Sequence, residues 1–261
     1  MNEFVSKNYR KLLDLRREGL RKYRSLFPHQ FMKIPTAFTT PGLIIRGNQR
    51  SALHASGLRH YDLGKRICIL DRPVPWVVAS RFIREGQSLL DVGSSDGMFQ
   101  KFLKVNGINI RYSGVDVDTS FTPDFELYRS LKDVRGKFDV VTLFHVIEHM
   151  SLSECLDNLA QISGLLQGSE ITIVATPNVL SPGVFERDIE HIQPYPWFDL
   201  YAILRLYFSR VDVLRGHYLC TPLRMVSMPV KAVAGVLREQ DWCEEVILIA
   251  RRANNNDDNR R

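Results

Sequence analysis

The feature that most restricts the fold is an alternation of short β-rich runs with helix-length stretches, which begins at Ser88. The runs are SLLDVG, INIRYSGVDV, FDVVTLF and EITIVAT, and two more, RVDVLRG and EEVILIARR, follow towards residue 252. Strands that alternate with helices usually pair in parallel, because each crossover returns the chain to the same end of the sheet. The sequence therefore predicts an α/β fold: a doubly wound, mostly parallel sheet of about seven strands with helices on both faces.

The domain organisation follows from this pattern. Residues 71–252 are predicted to form the α/β domain. Residues 1–70 begin with a basic amphipathic helix and continue through a stretch rich in proline and glycine, so we expect a cap of helix and loops over the carboxyl edge of the sheet. The polar residues 253–261 are expected to be a disordered tail.

Composition excludes several classes of protein. Apolar residues make up 44% and charged residues 25% of the 261 residues, which is ordinary for a soluble protein with a sizeable core. The four cysteines form no C-x-x-C pair, so neither a metal finger nor a disulfide framework is expected. No apolar run could span a bilayer and the first residues lack a secretory signal, so we expect a cytoplasmic protein. The net charge of +6 permits an anionic partner without identifying it.

A glycine-rich loop follows the first strand, in the segment Asp91-Val92-Gly93-Ser94-Ser95-Asp96-Gly97. It lies between a predicted strand and a predicted helix, the context in which such a loop binds a ligand. Glycines let the backbone turn sharply, and the start of the helix offers free N–H groups. The spacing D-x-G-x-x-x-G differs from the nicotinamide-binding pattern, and the acid before the first glycine favours a cationic ligand over a pyrophosphate.

Two other predicted strands end in polar side chains at the same edge of the sheet. Asp116 ends the second strand, close to the roughly 20-residue offset from Gly93 at which an acid reaches ribose hydroxyls. The run FDVVTLF leads into His145 at its carboxyl end, where ligands of open α/β sheets bind.

Together with Ala175-Thr176-Pro177-Asn178 and Glu190-His191, these motifs resemble the class I S-adenosylmethionine-dependent methyltransferases. They are most similar to the broad group that includes the ubiquinone-biosynthesis O-methyltransferases, over about residues 75–252. The resemblance implies a Rossmann-like methyltransferase fold and S-adenosyl-L-methionine as the cofactor. It implies cofactor contacts with Asp91, Gly93, Ser94, Ser95, Gly97, Asp116, Val117, Phe144 and His145. The family often has glycine in place of Ser95, so we expect weaker affinity or a shifted loop rather than loss of binding.

Histidines near these motifs are the candidates for catalysis. His145 is the first choice and His149 or His191 the second, because a neutral imidazole removes protons near pH 7. On a helix, His145, Glu148 and His149 would share one face, and with His191 they resemble the metal site of small-RNA 2′-O-methyltransferases. That family has an acid where His145 stands, and its Phe-Glu-Trp signature is missing here. We therefore expect no metal, with Glu148 and His149 capping the helix; Glu148, His149 and His191 are the candidate ligands if one binds.

The sequence thus predicts transfer of a methyl group to a hydroxyl of a small-molecule, glycan or lipid-linked acceptor, mainly by proximity and alignment. One alternative is a metal-assisted RNA 2′-O-methyltransferase, although nucleic acid is not the favoured partner. Another is a catalytically silent methyltransferase fold that serves as a binding subunit, against which the intact Asp91, Gly93, Gly97 and Asp116 argue. The basic N-terminal helix and residues 219–242 also fit peripheral membrane contact, although packing on the domain is favoured.

Overall fold

A computed structural model of the chain describes residues 10–19, 21, 36–39, 74–118, 120–218, 230, 233 and 243–252. The strands are β1 (Thr36–Thr39), β2 (Ser88–Val92), β3 (Arg111–Val115), β4 (Glu126–Tyr128), β5 (Phe138–Phe144), β6 (Leu166–Pro177), β7 (Arg210–Tyr218) and β8 (Glu245–Arg251). The helices are α1 (residues 10–19), α2 (Val74–Ala79), α3 (Met98–Val105), α4 (Leu152–Leu165) and α5 (Trp197–Leu204). Single 3-10 turns lie at Leu131–Asp133, Ile147–His149 and Phe185–Arg187.

All eight strands belong to one sheet, in the order β1-β7-β8-β6-β5-β2-β3-β4. Neighbouring strands are parallel except where β8 runs antiparallel to β6 and β7. After β4 the chain crosses back over β2 to form β5, so the strand order reverses between β2 and β5. In open α/β sheets the ligand crevice lies outside the carboxyl ends of the strands at this switch point. The predicted doubly wound, mostly parallel α/β sheet is confirmed.

The described residues form a sheet of eight strands, whereas the sequence predicted about seven. The six predicted runs all form strands, and the two additional ones are short. β4 has only three residues within a stretch that shows no clear periodicity. β1 pairs in parallel with β7, so at least part of residues 1–70 extends the sheet at its edge.

Alternating side chains of the strands supply two apolar cores, one on each face of the sheet. Leu89 and Leu90 are both fully buried but point to opposite faces, as successive strand residues must. One core includes the apolar faces of α4 and α5, and the other packs β2 and β5 against α2 and α3. Both faces are covered, which explains why the strands read as nearly continuous apolar runs.

Helix α1 packs on the outer side of α5. Arg16 pairs with Asp199, and the Tyr201 hydroxyl donates a 2.8 Å hydrogen bond to Glu18. Gly19 lies against the backbone of Phe198, where a Cβ would be only 2.9 Å from the carbonyl oxygen. The glycine that weakens the predicted helix therefore permits this close packing.

Several sequence-based predictions lie outside the described residues. They include the rest of the 1–70 cap, nearly all of residues 219–242, and the tail 253–261. Among the described helices, none has the length and apolar character needed to cross a membrane.

Candidate functional site

The loop between β2 and α3 turns sharply at the switch point of the sheet. Gly93 and Gly97 have φ angles of 77° and 78°, and Ser95 has a φ of 47°. A Cβ on Gly93 would overlap the Val146 side chain, and one on Gly97 would overlap Phe125. Both glycines are thus required for conformation and for space: Gly93 brings the loop against the turn that follows β5, and Gly97 brings it against Phe125, just before β4. Ser95 adopts a left-handed backbone conformation that favours glycine. This is a structural reason why the methyltransferases that the sequence resembles often have glycine at this position.

Asp116 lies directly beside this loop, at the carboxyl end of β3. Its Oδ2 accepts a 2.8 Å hydrogen bond from the Ser95 N–H, and its Oδ1 accepts a 2.9 Å hydrogen bond from the Asp118 N–H. A carboxylate has about four lone-pair positions, so Asp116 retains acceptor capacity for ligand hydroxyls. The next residue, Val117, is 92% exposed and presents apolar surface at the same edge.

Asp91 lies behind the loop rather than on its surface. It is 3% exposed, Oδ1 accepts a 2.6 Å hydrogen bond from Thr142, and Oδ2 accepts one from Tyr112. Burial raises the pKa of Asp91 from 3.8 to about 6; the two hydroxyls offset part of this rise, and the nearby charge of Asp116 adds to it. Asp91 can therefore affect a ligand through its charge and by supporting the loop, rather than by direct contact.

His145 occupies the end of β5 with a φ of 54°. Its Nε2 lies 3.0 Å from Glu245 Oε1, and its Nδ1 lies 3.3 Å from Glu148 Oε1. Burial alone would lower the pKa of His145, but the carboxylates of Glu148 and Glu245 outweigh it and raise the pKa to about 10. This pKa favours a positively charged imidazole near pH 7 and argues against a neutral base at this position; the catalytic role of His145 stays a prediction.

The expected helix over His145, Glu148 and His149 is wrong. The left-handed backbone of His145 excludes it from a helix, and Ile147–His149 forms only a single 3-10 turn. The following helix, α4, is capped instead by Ser151, whose side chain and that of Glu154 form a reciprocal capping box. Glu148 and His149 are thus not needed as helix caps.

Glu148, His149 and His191 nevertheless meet. One potential ligand atom from each lies within 4.8 Å of the others. Glu148 is fully buried; its Oε2 accepts a 3.1 Å hydrogen bond from Thr176. Its backbone carbonyl accepts hydrogen bonds from the N–H groups of residues 192 and 193, which holds the His191 loop in place.

The structure thus brings most of the predicted site residues to one edge of the sheet. The loop residues, Asp116 and the three histidines gather there, with Ser94 buried beneath the loop. Phe144 is the exception, since its ring packs edge-on against Phe99 at 5.0 Å in one of the cores. Sequence reasoning missed Glu245, which is 4% exposed and reaches this edge because β8 is antiparallel. A carboxylate at the start of a predicted strand was its only signal.

Comparisons with known proteins agree with this geometry. A family model described as a methyltransferase domain matches residues 69–212, more than half of the chain. A SAM-dependent methyltransferase from Archaeoglobus fulgidus superposes with a TM-score of 0.56 at 18% identity, over 80% of this chain and 97% of the other. A putative methyltransferase from Haloferax volcanii, solved with the Trm112 methyltransferase activator, gives 0.53 at 14% identity, over 77% and 98%. These two similarities concern the fold. No curated protein sequence is significantly similar to the chain.

Proposed function

The chain belongs to the methyltransferase-domain family, and on that premise we propose that it methylates a hydroxyl of an acceptor bound at the carboxyl edge of the sheet. The predicted S-adenosylmethionine-dependent methyltransferase and its Rossmann-like fold are confirmed by family and fold. The narrower likeness to the ubiquinone-biosynthesis enzymes stays a prediction, as do the acceptor and the roles of individual residues.

The observation that carries the proposal is the shape of the loop from Gly93 to Gly97 beside Asp116. Its left-handed glycines let the backbone turn sharply at the switch point, and the loop leads into α3, whose first N–H groups can receive the carboxylate of the cofactor. Asp116 would accept hydrogen bonds from the ribose hydroxyls, and the exposed Val117 would contact the base. The negative charge of Asp91 behind the loop favours a cationic ligand. When bound, the cofactor supplies a methyl group already activated on a sulfonium.

A hydroxyl acceptor must lose its proton as it is methylated, and the site offers lone pairs for that proton. Nδ1 of His149 lies 3.0 Å from the carbonyl oxygen of Glu190, and Nδ1 of His191 lies 2.6 Å from that of Phe185. A carbonyl oxygen only accepts, so in the neutral form of each ring Nδ1 carries the proton and Nε2 has the lone pair. We therefore assign proton removal to His149 or His191, and a charged, positioning role to His145.

Measurements of S-adenosylmethionine binding to the wild type and to single-residue variants test the proposal. Titration calorimetry and thermal unfolding with S-adenosylmethionine should show binding and a raised melting temperature, because a ligand of the native state stabilises it. Asp116→Ala should weaken binding by about tenfold or more, since a lost pair of hydrogen bonds is worth about 1.4 kcal/mol or more. Asp118→Ala removes an exposed neighbouring carboxylate and should bind as the wild type does. Equal affinity in both variants, or stabilisation by NAD alone, would contradict the proposal.

A further inference from the structure

The ATPN motif at the end of β6 fixes the place where β8 begins. Pro177 is the last residue of β6 and pairs with Glu245, the first residue of β8. Asn178 is buried and ties the two strand ends together. Its N–H donates a 2.9 Å hydrogen bond to the carbonyl oxygen of Glu244, and its Nδ2 donates one of 2.9 Å to that of Cys243. The position of the Glu245 side chain is therefore determined by the end of β6.

Two buried carboxylates hold the imidazole of His145 at its two nitrogens. Glu245 Oε1 lies 3.0 Å from Nε2, and Glu148 Oε1 lies 3.3 Å from Nδ1. Thr176, also in the ATPN motif, donates a 3.1 Å hydrogen bond to the other oxygen of Glu148. The side chains of Glu245 and Glu148 are 5% and 1% exposed, whereas that of His145 is 40% exposed. The carboxylates therefore lie behind the ring, which keeps its free surface at the carboxyl edge of the sheet.

The backbone of His145 is an independent sign that its surroundings determine its position. A φ of 54° is uncommon for a residue with a side chain, and such a conformation persists only where neighbouring contacts impose it. The His145 N–H is also held, since it donates a 2.9 Å hydrogen bond to the carbonyl oxygen of Ala175 in β6. An ionised carboxylate only accepts hydrogen bonds, so between two of them both ring nitrogens carry protons.

We propose that Glu245 is a positioning residue of the active site: together with Glu148 it fixes the plane of the His145 ring, which forms a wall of the cofactor crevice. Glu245 lies behind the ring, so it acts through His145 and not by touching the cofactor. A wall that is already in place needs no ordering when the ligand binds, which favours affinity. The inference rests on the proposed function, because the wall matters only if S-adenosylmethionine binds beside it.

Nuclear magnetic resonance of the His145 ring tests the positioning without any methyl acceptor. In full-length protein labelled with ¹⁵N, the wild type should show two downfield ring N–H protons, as hydrogen bonds to carboxylates produce. His145→Asn removes the ring and identifies these signals, and asparagine tolerates the left-handed backbone. Glu245→Ala should lose the Nε2–H signal by exchange with water. Glu245→Gln should restore it, because the amide oxygen still accepts a hydrogen bond.

Glu244→Ala is the matched control, since it removes the neighbouring carboxylate but keeps the backbone carbonyl that Asn178 holds. It should retain both ring signals, and circular dichroism should show all variants folded. An Nε2–H signal that survives in Glu245→Ala, or that is lost equally in Glu244→Ala, would overturn the proposal.

Calorimetry with S-adenosylmethionine is the second measurement on the same variants. Glu245→Ala should weaken binding by about three- to tenfold, which corresponds to one hydrogen bond that fixes a contact. Glu245→Gln should recover most of this loss, and Glu244→Ala should bind as the wild type does. Wild-type affinity in Glu245→Ala would show that the ring is not a wall of the crevice and would also overturn the proposal. Absence of binding to the wild type would instead refute the proposed function, on which the ring signals do not depend.

Discussion

Substitution of Asp91 by asparagine should change how stability depends on pH. The pKa of this carboxyl is 3.8 for an ordinary aspartate, as in the unfolded chain, and about 6 in the folded protein, mainly because of burial. Between these values the unfolded chain has released the proton and the folded chain still holds it. Unfolding therefore releases a proton, and the free energy of unfolding falls as pH rises through this window. A shift of roughly two pKa units corresponds to about 3 kcal/mol.

Asparagine has nearly the same shape as a protonated aspartate but does not titrate. The stability curves of the wild type and Asp91→Asn should meet near pH 4 and separate as pH rises. Above pH 7 the variant should be the more stable by up to about 3 kcal/mol. Urea unfolding without cofactor, from pH 4.5 to 8, measures the difference between the curves, in which the titration of other groups cancels.

Asp139→Asn is the control for this experiment. It removes another strand carboxylate, which accepts hydrogen bonds from Ser88. Asp91 stays in place, so the free energy of unfolding should still fall between pH 4 and 7. Parallel curves for the wild type and Asp91→Asn would refute the reasoning. They would mean that Asp91 ionises in the folded protein as easily as in the unfolded chain.

Three further substitutions test local features of the fold. Gly97→Ala should destabilise the protein by about 1–3 kcal/mol in urea unfolding, because it combines a strained left-handed backbone with overlap on Phe125. Gly107 also has a positive φ but open space around it, so Gly107→Ala should lower the free energy of unfolding by only about 1 kcal/mol. If both variants lost the same amount, the overlap with Phe125 would not contribute to the effect of Gly97→Ala. Ser151→Ala removes the α4 capping box and should cost about 1 kcal/mol, and an unchanged unfolding midpoint would show that the cap contributes nothing.

The central strands were predictable because burial on both faces makes their apolar runs continuous. FDVVTLF forms β5 without a change of boundary. β4 has too few residues to show a period, and β1 is defined by its pairing with a strand far along the chain. Pairing of this kind depends on tertiary structure, which local sequence does not encode.

The site was predictable where local backbone geometry determines it, as at Gly93 and Gly97. The positive charge of the His145 imidazole was not predictable, because it depends on Glu245. That residue is distant in sequence, and β8 places it at the same edge of the sheet. The tautomers of His149 and His191 likewise depend on carbonyl groups of a loop, and no residue type signals the direction of a carbonyl.

The position of β8 has a consequence for biosynthesis. Within the described part of the chain, β6 and β7 each pair with β8, so β8 joins β1 and β7 to the rest of the sheet. A nascent chain that has emerged only to residue 244 can pair β2 through β6, while β7 has no way to join them. In that chain His145 also lacks Glu245. Since chains fold from the N-terminus as they are made, closure of the sheet and the pairing of His145 with Glu245 become possible together, once β8 has emerged. A chain truncated before β8 should therefore lose both the β7 side of the sheet and the ion pair of His145, while the loop after β2 and Asp116 can still form.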